Sequence, residues 1–353
     1  MKRIIITALI LVMFSGLGCI PRKKKQGEGL VEQKFSNLHF VGYKATFKVA
    51  AGPAQIDEYL LDLKNLDVET GGYRIRMDSK SRVEKFGDSV NAKMEILNVS
   101  IPGKFILTYH EPGKEICYVY YAKFGITGIV RFSLKEVGNA TKVSAKFELE
   151  DINPFFSELS QAVNVPEMLG KLMDAGIARA QSQFDPSFQP EELPSKGFRG
   201  EIIDSLFQAG ESSIWINASP KKVFQYLTDP QNAKVYNDKY GFGFAYCMDE
   251  SAGDVCPFKI KMLGTEYELN SFRAARTRGE SGTYYWVSKA LLARIIYTVK
   301  PERMGTRLGL AYMVELPPSI SEQGGDLILN VLQAPKALET MMTDIKASIE
   351  GTG

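Results

Sequence analysis

The sequence predicts an α+β protein made of two copies of one unit, each ordered as strand, short helix, several antiparallel strands and a closing C-terminal helix. Three observations predict it. A strand-to-helix segment near residue 50 matches another near 217 without gaps, an alternating hairpin near 140 matches another near 305 at almost the same spacing, and each copy ends in an apolar helix-like stretch.

The N-terminus comes first. Lys2 and Arg3 precede an apolar run over residues 4–14, followed by Ser15, Gly16, Leu17, Gly18 and Cys19. The run is too short for a bilayer core, which needs roughly 20 apolar residues, and it suits the core of an export signal. Residues 1–18 are therefore expected to be a signal peptide. Residues 19–37, with Arg22, Lys23, Lys24 and Lys25 ahead of Gly27 and Gly29, are expected to be a solvated tether.

The first copy is expected over residues 38–184. In its opening segment Ala51, Pro53, Tyr59, Leu60 and Asp62 coincide with Ala218, Pro220, Tyr226, Leu227 and Asp229, so position 220 answers to 53 at an offset of 167. Gly52 or Ser219 can cap the helix, and Pro53 or Pro220 takes its first position, where a missing N–H costs nothing. Further on, Val130, Phe132 and Leu134 alternate with polar residues. After the turn at Gly138-Asn139, Val143, Ala145, Phe147 and Leu149 do the same, which is the pattern of a hairpin with one buried face. Pro166 opens a terminal helix carrying Met168, Leu169, Leu172, Met173 and Ile177.

Residues 185–200, with Pro186, Pro190 and Pro194, read as a linker, and the second copy is expected over 201–353. Its hairpin carries Ile295, Tyr297 and Val299, then Leu308, Leu310, Tyr312 and Val314. Thr306 answers to Thr141 at an offset of 165. Its terminal helix holds Leu338, Met341, Met342 and Ile345, and Pro335 is expected to end or kink the first part of it. The outward hairpin positions Arg131, Ser133, Ser144, Lys146 and Glu148 become Ile296, Thr298, Gly309, Ala311 and Met313. A face that has lost its charges is expected to be covered, by the first copy or by another protein, with Ile296, Ala311 and Met313 as the contact.

Length and composition bound the function. A chain of 353 residues favours two domains. A net charge of +2, from 43 basic and 41 acidic residues, offers no field to attract nucleic acid. With only His39 and His110, no Cys-x-x-Cys, no phosphate loop and no nucleophile elbow, neither a metal site, a cofactor nor catalysis is expected. His110 sits beside the turn Glu111-Pro112-Gly113-Lys114, where solvent exposure is the default. Cys117 is expected to be a small buried apolar residue, while Cys247 and Cys256 could pair across a loop in an oxidising compartment or remain thiols.

Two resemblances add to this reading. The segment ending in Cys19 resembles the lipobox of bacterial lipoproteins, although Gly16 stands where that family has Leu; a plain secretory signal with a chance cysteine is the alternative. The resemblance implies acylation of Cys19 and a lipid-anchored protein of the cell envelope facing the periplasm. Ile20 after the cysteine implies the outer membrane. The run Ile214-Trp-Ile-Asn-Ala-Ser-Pro-Lys-Lys-Val-Phe, closed by Asp229-Pro230, resembles the START-like or SRPBCC superfamily, whose helix-grip fold curls an antiparallel sheet around a long C-terminal helix. That resemblance covers most of residues 38–184 and 201–350.

It implies a cavity between sheet and helix. In the first copy the candidate lining is Phe132, Phe147, Met168, Leu172 and Met173. In the second it is Tyr285, Tyr297, Tyr312, Leu338, Met341, Met342 and Ile345. Methionines can repack around ligands of different shape, and ordinary core packing explains them equally. The expected function is an envelope lipoprotein binding or carrying a lipid, sterol or quinone, with the membrane as its other partner. A non-catalytic adaptor with filled cores and a cyclase-type enzyme are the alternatives.

Overall fold

Strands that alternate apolar and polar residues need partners for their backbone and cover for one face, and here they find both in a single curled antiparallel sheet. The computed structural model describes the chain except for residues 1–30, 79–80, 97–98, 123–126, 151–162, 189–198, 230, 233–234, 236–254, 263–264, 278, 288–291, 316–325 and 352–353.

The first half comprises β1 (Glu32–Val49), α1 (Pro53–Leu61), a 3₁₀ turn (Leu63–Leu66), β2 (Val68–Thr70), β3 (Tyr73–Met77), β4 (Ser89–Ile96), β5 (Val99–Glu111), β6 (Glu115–Ala122), β7 (Thr127–Val137), β8 (Ala140–Glu150) and α2 (Val165–Phe184). The second comprises β9 (Glu201–Ile216), α3 (Pro220–Thr228), β10 (Val255–Met262), β11 (Thr265–Thr277), β12 (Ser281–Val287), β13 (Leu292–Glu302), β14 (Gly305–Glu315) and α4 (Asp326–Glu350). Among the described residues the strands run β10-β11-β12-β13-β14-β9-β1-β8-β7-β6-β5-β4-β3-β2.

The two halves repeat one another in register. Phe47 pairs with Val143 between β1 and β8, and Ile214 pairs with Leu308 between β9 and β14. The offsets of 167 and 165 read from the sequence carry the first pair onto the second. Thr141 donates to the carbonyl of Ala51 at 2.7 Å, and its counterpart Thr306 donates to that of Ala218 at 2.6 Å. Each bond ties a hairpin to the strand-to-helix corner. At that corner Ser219 accepts from the Lys222 N–H, and Gln55 accepts from the Gly52 N–H.

Both hairpins turn on two residues. Gly138 takes a left-handed φ of 63° in the first, and Arg303 holds the same place in the second at 56°. Only glycine does so without steric cost.

β1 and β9 also pair with each other, from Glu32 opposite Ser213 to Lys44 opposite Glu201, so the sheet passes unbroken from one half to the other. Residues 32–37, expected in the tether, thus belong to β1, where they satisfy the backbone of β9.

Each inner face carries its own core. In the first, α2 lays Met168, Leu169, Leu172 and Ile177 against Phe105, Phe132, Phe147 and Leu149. In the second, Leu338, Met341, Met342 and Ile345 of α4 meet Ile214, Tyr297, Leu308 and Leu310. Pro335 does not end α4, which runs as one helix through it. Proline removes a single backbone donor, and the buried side of the following turns holds the helix together. No helix among the described residues is long and apolar enough to cross a membrane.

A third cluster joins the outer faces. Ile106, Cys117, Val119 and Ile129 of the first half pack on Tyr285, Val287, Leu292 and Met313 of the second, with Phe40 against Phe207 at a ring-centroid distance of 4.1 Å. Met313 is fully buried there, while Ile296 and Ala311 are half-buried. Of the face expected to be covered, only the end at Met313 is packed against the first half among the described residues. Polar groups inside this layer are paired: Arg294 donates to both carboxylate oxygens of Glu150, and Arg131 to both of Glu315 at 3.2 and 3.0 Å.

Candidate ligand-binding site

A cavity of about 70 Å³ lies in the first half between the sheet and α2. Phe47, Phe105, Val130, Phe132, Ala145 and Phe147 form its floor. Leu172, Met173, Gly176, Ile177 and Ala180 of α2 form its roof, and Tyr59, Leu60, Asn65 and Leu66 close the side. Tyr59, Leu66, Met173 and Gly176 are half-buried, so this side lies nearest solvent.

The void has a local cause. Ala145, Gly176 and Ala180 present little or no side chain where the sheet and helix diverge. The offset that carries Thr141 onto Thr306 carries Ala145 onto Leu310, which is buried in the second core. A buried leucine stands there where the first half has an alanine.

The walls are apolar, with few polar groups at hand. Tyr118 donates to the Leu60 carbonyl at 2.9 Å and Tyr120 to that of Ile101 at 2.9 Å, so both hydroxyls are satisfied. Asn65 donates to the Tyr59 carbonyl at 2.7 Å. The Tyr59 hydroxyl is buried and has no hydrogen-bond partner among the described residues. Burial pushes its pKa up, against the opposing charge of Arg179.

Of the expected lining, Phe132, Phe147, Leu172 and Met173 border the cavity, and Met168 is core beside it. Tyr297, Leu338, Met341, Met342 and Ile345 lie in the second core, with Tyr312 half-buried against it. Tyr285 lies elsewhere. It pairs with Arg294 and shares that residue's face, opposite to Tyr297, so it enters the layer between the halves with its hydroxyl 3.0 Å from that of Thr127. Tyr59, Ala145 and Gly176 were not among the candidates. The mismatch of Ala145 with Leu310 at matched hairpin positions was the signal available for one of them.

His110 is not a solvent-exposed turn residue. A register shift in β5 after Leu107 turns it toward α1, where its Nε2 lies 3.0 Å from the buried carboxylate of Asp57. Cys117 is a free, buried thiol, its pKa pushed up by burial. Cys19 and Cys247 lie outside the described residues, as does the side chain of Cys256 in β10.

No protein-family model matches the chain, and no curated protein does. Among solved structures it resembles the di-domain ARO/CYC protein StfQ from the steffimycin biosynthetic pathway, at 14% identity over 87% of this chain and 98% of that one, with a TM-score of 0.31. It also resembles the di-domain ARO/CYC protein BexL from the BE-7585A pathway, at 11% identity over 88% and 98%, with a TM-score of 0.30. A protein of Chromobacterium violaceum matches over 41% of this chain and 98% of its own, at 12% identity and a TM-score of 0.31. At these scores the likeness supplies no argument for what this chain does. The expectation that it is not an enzyme is withdrawn beside these ARO/CYC neighbours.

Proposed function

We propose that the protein binds and carries an apolar molecule of the lipid, sterol or quinone class, seated between the sheet and C-terminal helix of its first half. The observation that carries this reading is the apolar cavity under α2, held open by Ala145 at a position where the second half has Leu310. At about 70 Å³ it is smaller than pockets for drug-sized ligands, which run to roughly 300–1,000 Å³. Met173, unbranched and half-buried, is the side chain that gives way as the site fills. Each half is read as a helix-grip unit, residues 38–184 and 201–353 joined by 185–200, arisen by tandem duplication. The matched registers and the paired Thr141 and Thr306 bonds support this.

The same proposal places the protein in the bacterial envelope, at the outer membrane facing the periplasm. Residues 1–18 are its signal peptide, and Cys19 is its lipid anchor ahead of the basic tether. The support is the sequence pattern ending at Cys19. Palmitate labelling of the wild type and of Cys19→Ala tests the anchor. Organic extraction of the purified protein followed by mass spectrometry tests the cargo. A stoichiometric apolar compound is expected, and repeated recovery of none contradicts the reading.

Conversion of the bound molecule is a second reading; its candidate acid–base group is the His110–Asp57 pair, an imidazole against a buried carboxylate, which does not itself line the cavity. Comparing the recovered compound from the wild type and from His110→Gln tests it. A change in the compound is expected, and an unchanged one contradicts it.

A further inference from the structure

We infer that the ligand carries a hydrogen-bond-accepting oxygen at one end of its apolar body, and that Tyr59 is the residue that recognises it. The inference rests on the cavity reading above and specifies its cargo.

The ring of Tyr59 borders the cavity and meets Phe184 edge-on at 5.4 Å. Its hydroxyl is shut off from solvent and has no partner among the described residues. A buried hydroxyl without a partner is destabilising, and the three fully buried tyrosines of this core have theirs satisfied, Tyr43 by the Asp174 carboxylate and Tyr118 and Tyr120 by backbone carbonyls. Tyr59 is thus the exception, and it sits at the half-buried side of the cavity. The hydroxyl has one proton to donate. Arg179 and Asp62, of opposite charge, both act on this hydroxyl, so the charges around it do not select the sign of the ligand atom. A carbonyl or ether oxygen accepts the proton, and a pure hydrocarbon does not. The offset of 167 places Tyr226 at the matching position of the second half, packed against the core that contains Leu310.

The test uses two probes of nearly the same shape, cyclohexanone and methylenecyclohexane, titrated into the full-length protein labelled with methyl-¹³C methionine. The Met173 methyl resonance, assigned with Met173→Leu, reports occupancy. In Tyr59→Phe the affinity for cyclohexanone is expected to fall about fivefold, the scale of one net hydrogen bond, and that for methylenecyclohexane to stay within about twofold. The unliganded variant is expected to melt no lower than the wild type, because the residue it loses had no partner. Equal effects on both probes overturn the role of Tyr59 and leave the cavity reading standing. Binding of methylenecyclohexane without cyclohexanone also overturns the role of Tyr59 alone, whereas failure of both probes to bind the wild type overturns the cavity reading, and this inference with it.

Discussion

Arg294 of the second half reaches across to Glu150 of the first and donates to both oxygens of its carboxylate, 2.8 Å separating Nη2 from Oε1. The two side chains are nearly wholly buried, and Thr127 and Tyr285 complete the group. A pair of this kind stabilises little against an apolar replacement, because both charges have left water. Its loss on one side alone leaves a stranded charge. Arg294→Ala is therefore expected to destabilise the protein by about 3–5 kcal/mol, while Arg294→Met with Glu150→Leu recovers most of the loss. Urea unfolding of the three proteins measures both. A double variant as unstable as the single one contradicts this account.

The covered face makes a related prediction. Met313 is fully buried in the layer between the halves, whereas the matching residue of the first half is Glu148. Met313→Lys should destabilise by about 3 kcal/mol or more, because it buries a charge without a partner. Met304→Lys, at a hairpin tip where the side chain is 93% exposed, should stay within about 0.5 kcal/mol. Denaturant midpoints for the two variants decide it.

Arg303 holds a left-handed backbone where the first half has Gly138. Relieving that conformation with Arg303→Gly is expected to raise stability by about 1 kcal/mol. An unchanged or lower midpoint would show that the arginine's own interactions outweigh its backbone cost.

Glu302 gives the pH dependence. Its pKa is held below the usual carboxylate value, first by hydrogen bonding to Arg307, with N–O distances of 2.7 and 3.2 Å. A lowered folded-state pKa means a contribution present above the unfolded value near 4.5 and lost as pH falls through the folded one. The pair is partly exposed, so Glu302→Gln should cost only about 0.5 kcal/mol at pH 7, and the cost should fade as pH falls below the unfolded value. A cost that persists at low pH contradicts the assignment.

Much of the fold was legible because its signals are local. Gly138-Asn139 between alternating runs marks a hairpin, and Pro53 and Pro220 mark helix starts, wherever the rest of the chain goes. The offsets of 167 and 165 relate the two copies correctly, since they carry the pairing of Phe47 with Val143 onto that of Ile214 with Leu308. The exchange of Arg131, Lys146 and Glu148 for Ile296, Ala311 and Met313 announced a face that is covered at Met313. It could not say that β1 would extend to Glu32 to meet β9, since that pairing joins segments some 170 residues apart with no local signal. Tyr285 was assigned inward because a tyrosine in a strand reads the same on either face, and the register that decides its face is set by β13. Likewise the turn beside His110 concealed a register shift that aims its ring at Asp57. The cavity itself is a difference of a few carbons between Ala145 and Leu310, visible only once the two halves are laid side by side.

That difference also supplies the most direct test. Native mass spectrometry of the purified full-length protein, wild type beside Ala145→Leu, reads cargo occupancy in one spectrum. The account predicts a bound apolar compound on the wild type and its absence from a folded Ala145→Leu protein, in which the added side chain takes up the space. An unoccupied wild type, or equal occupancy in both proteins, would contradict it.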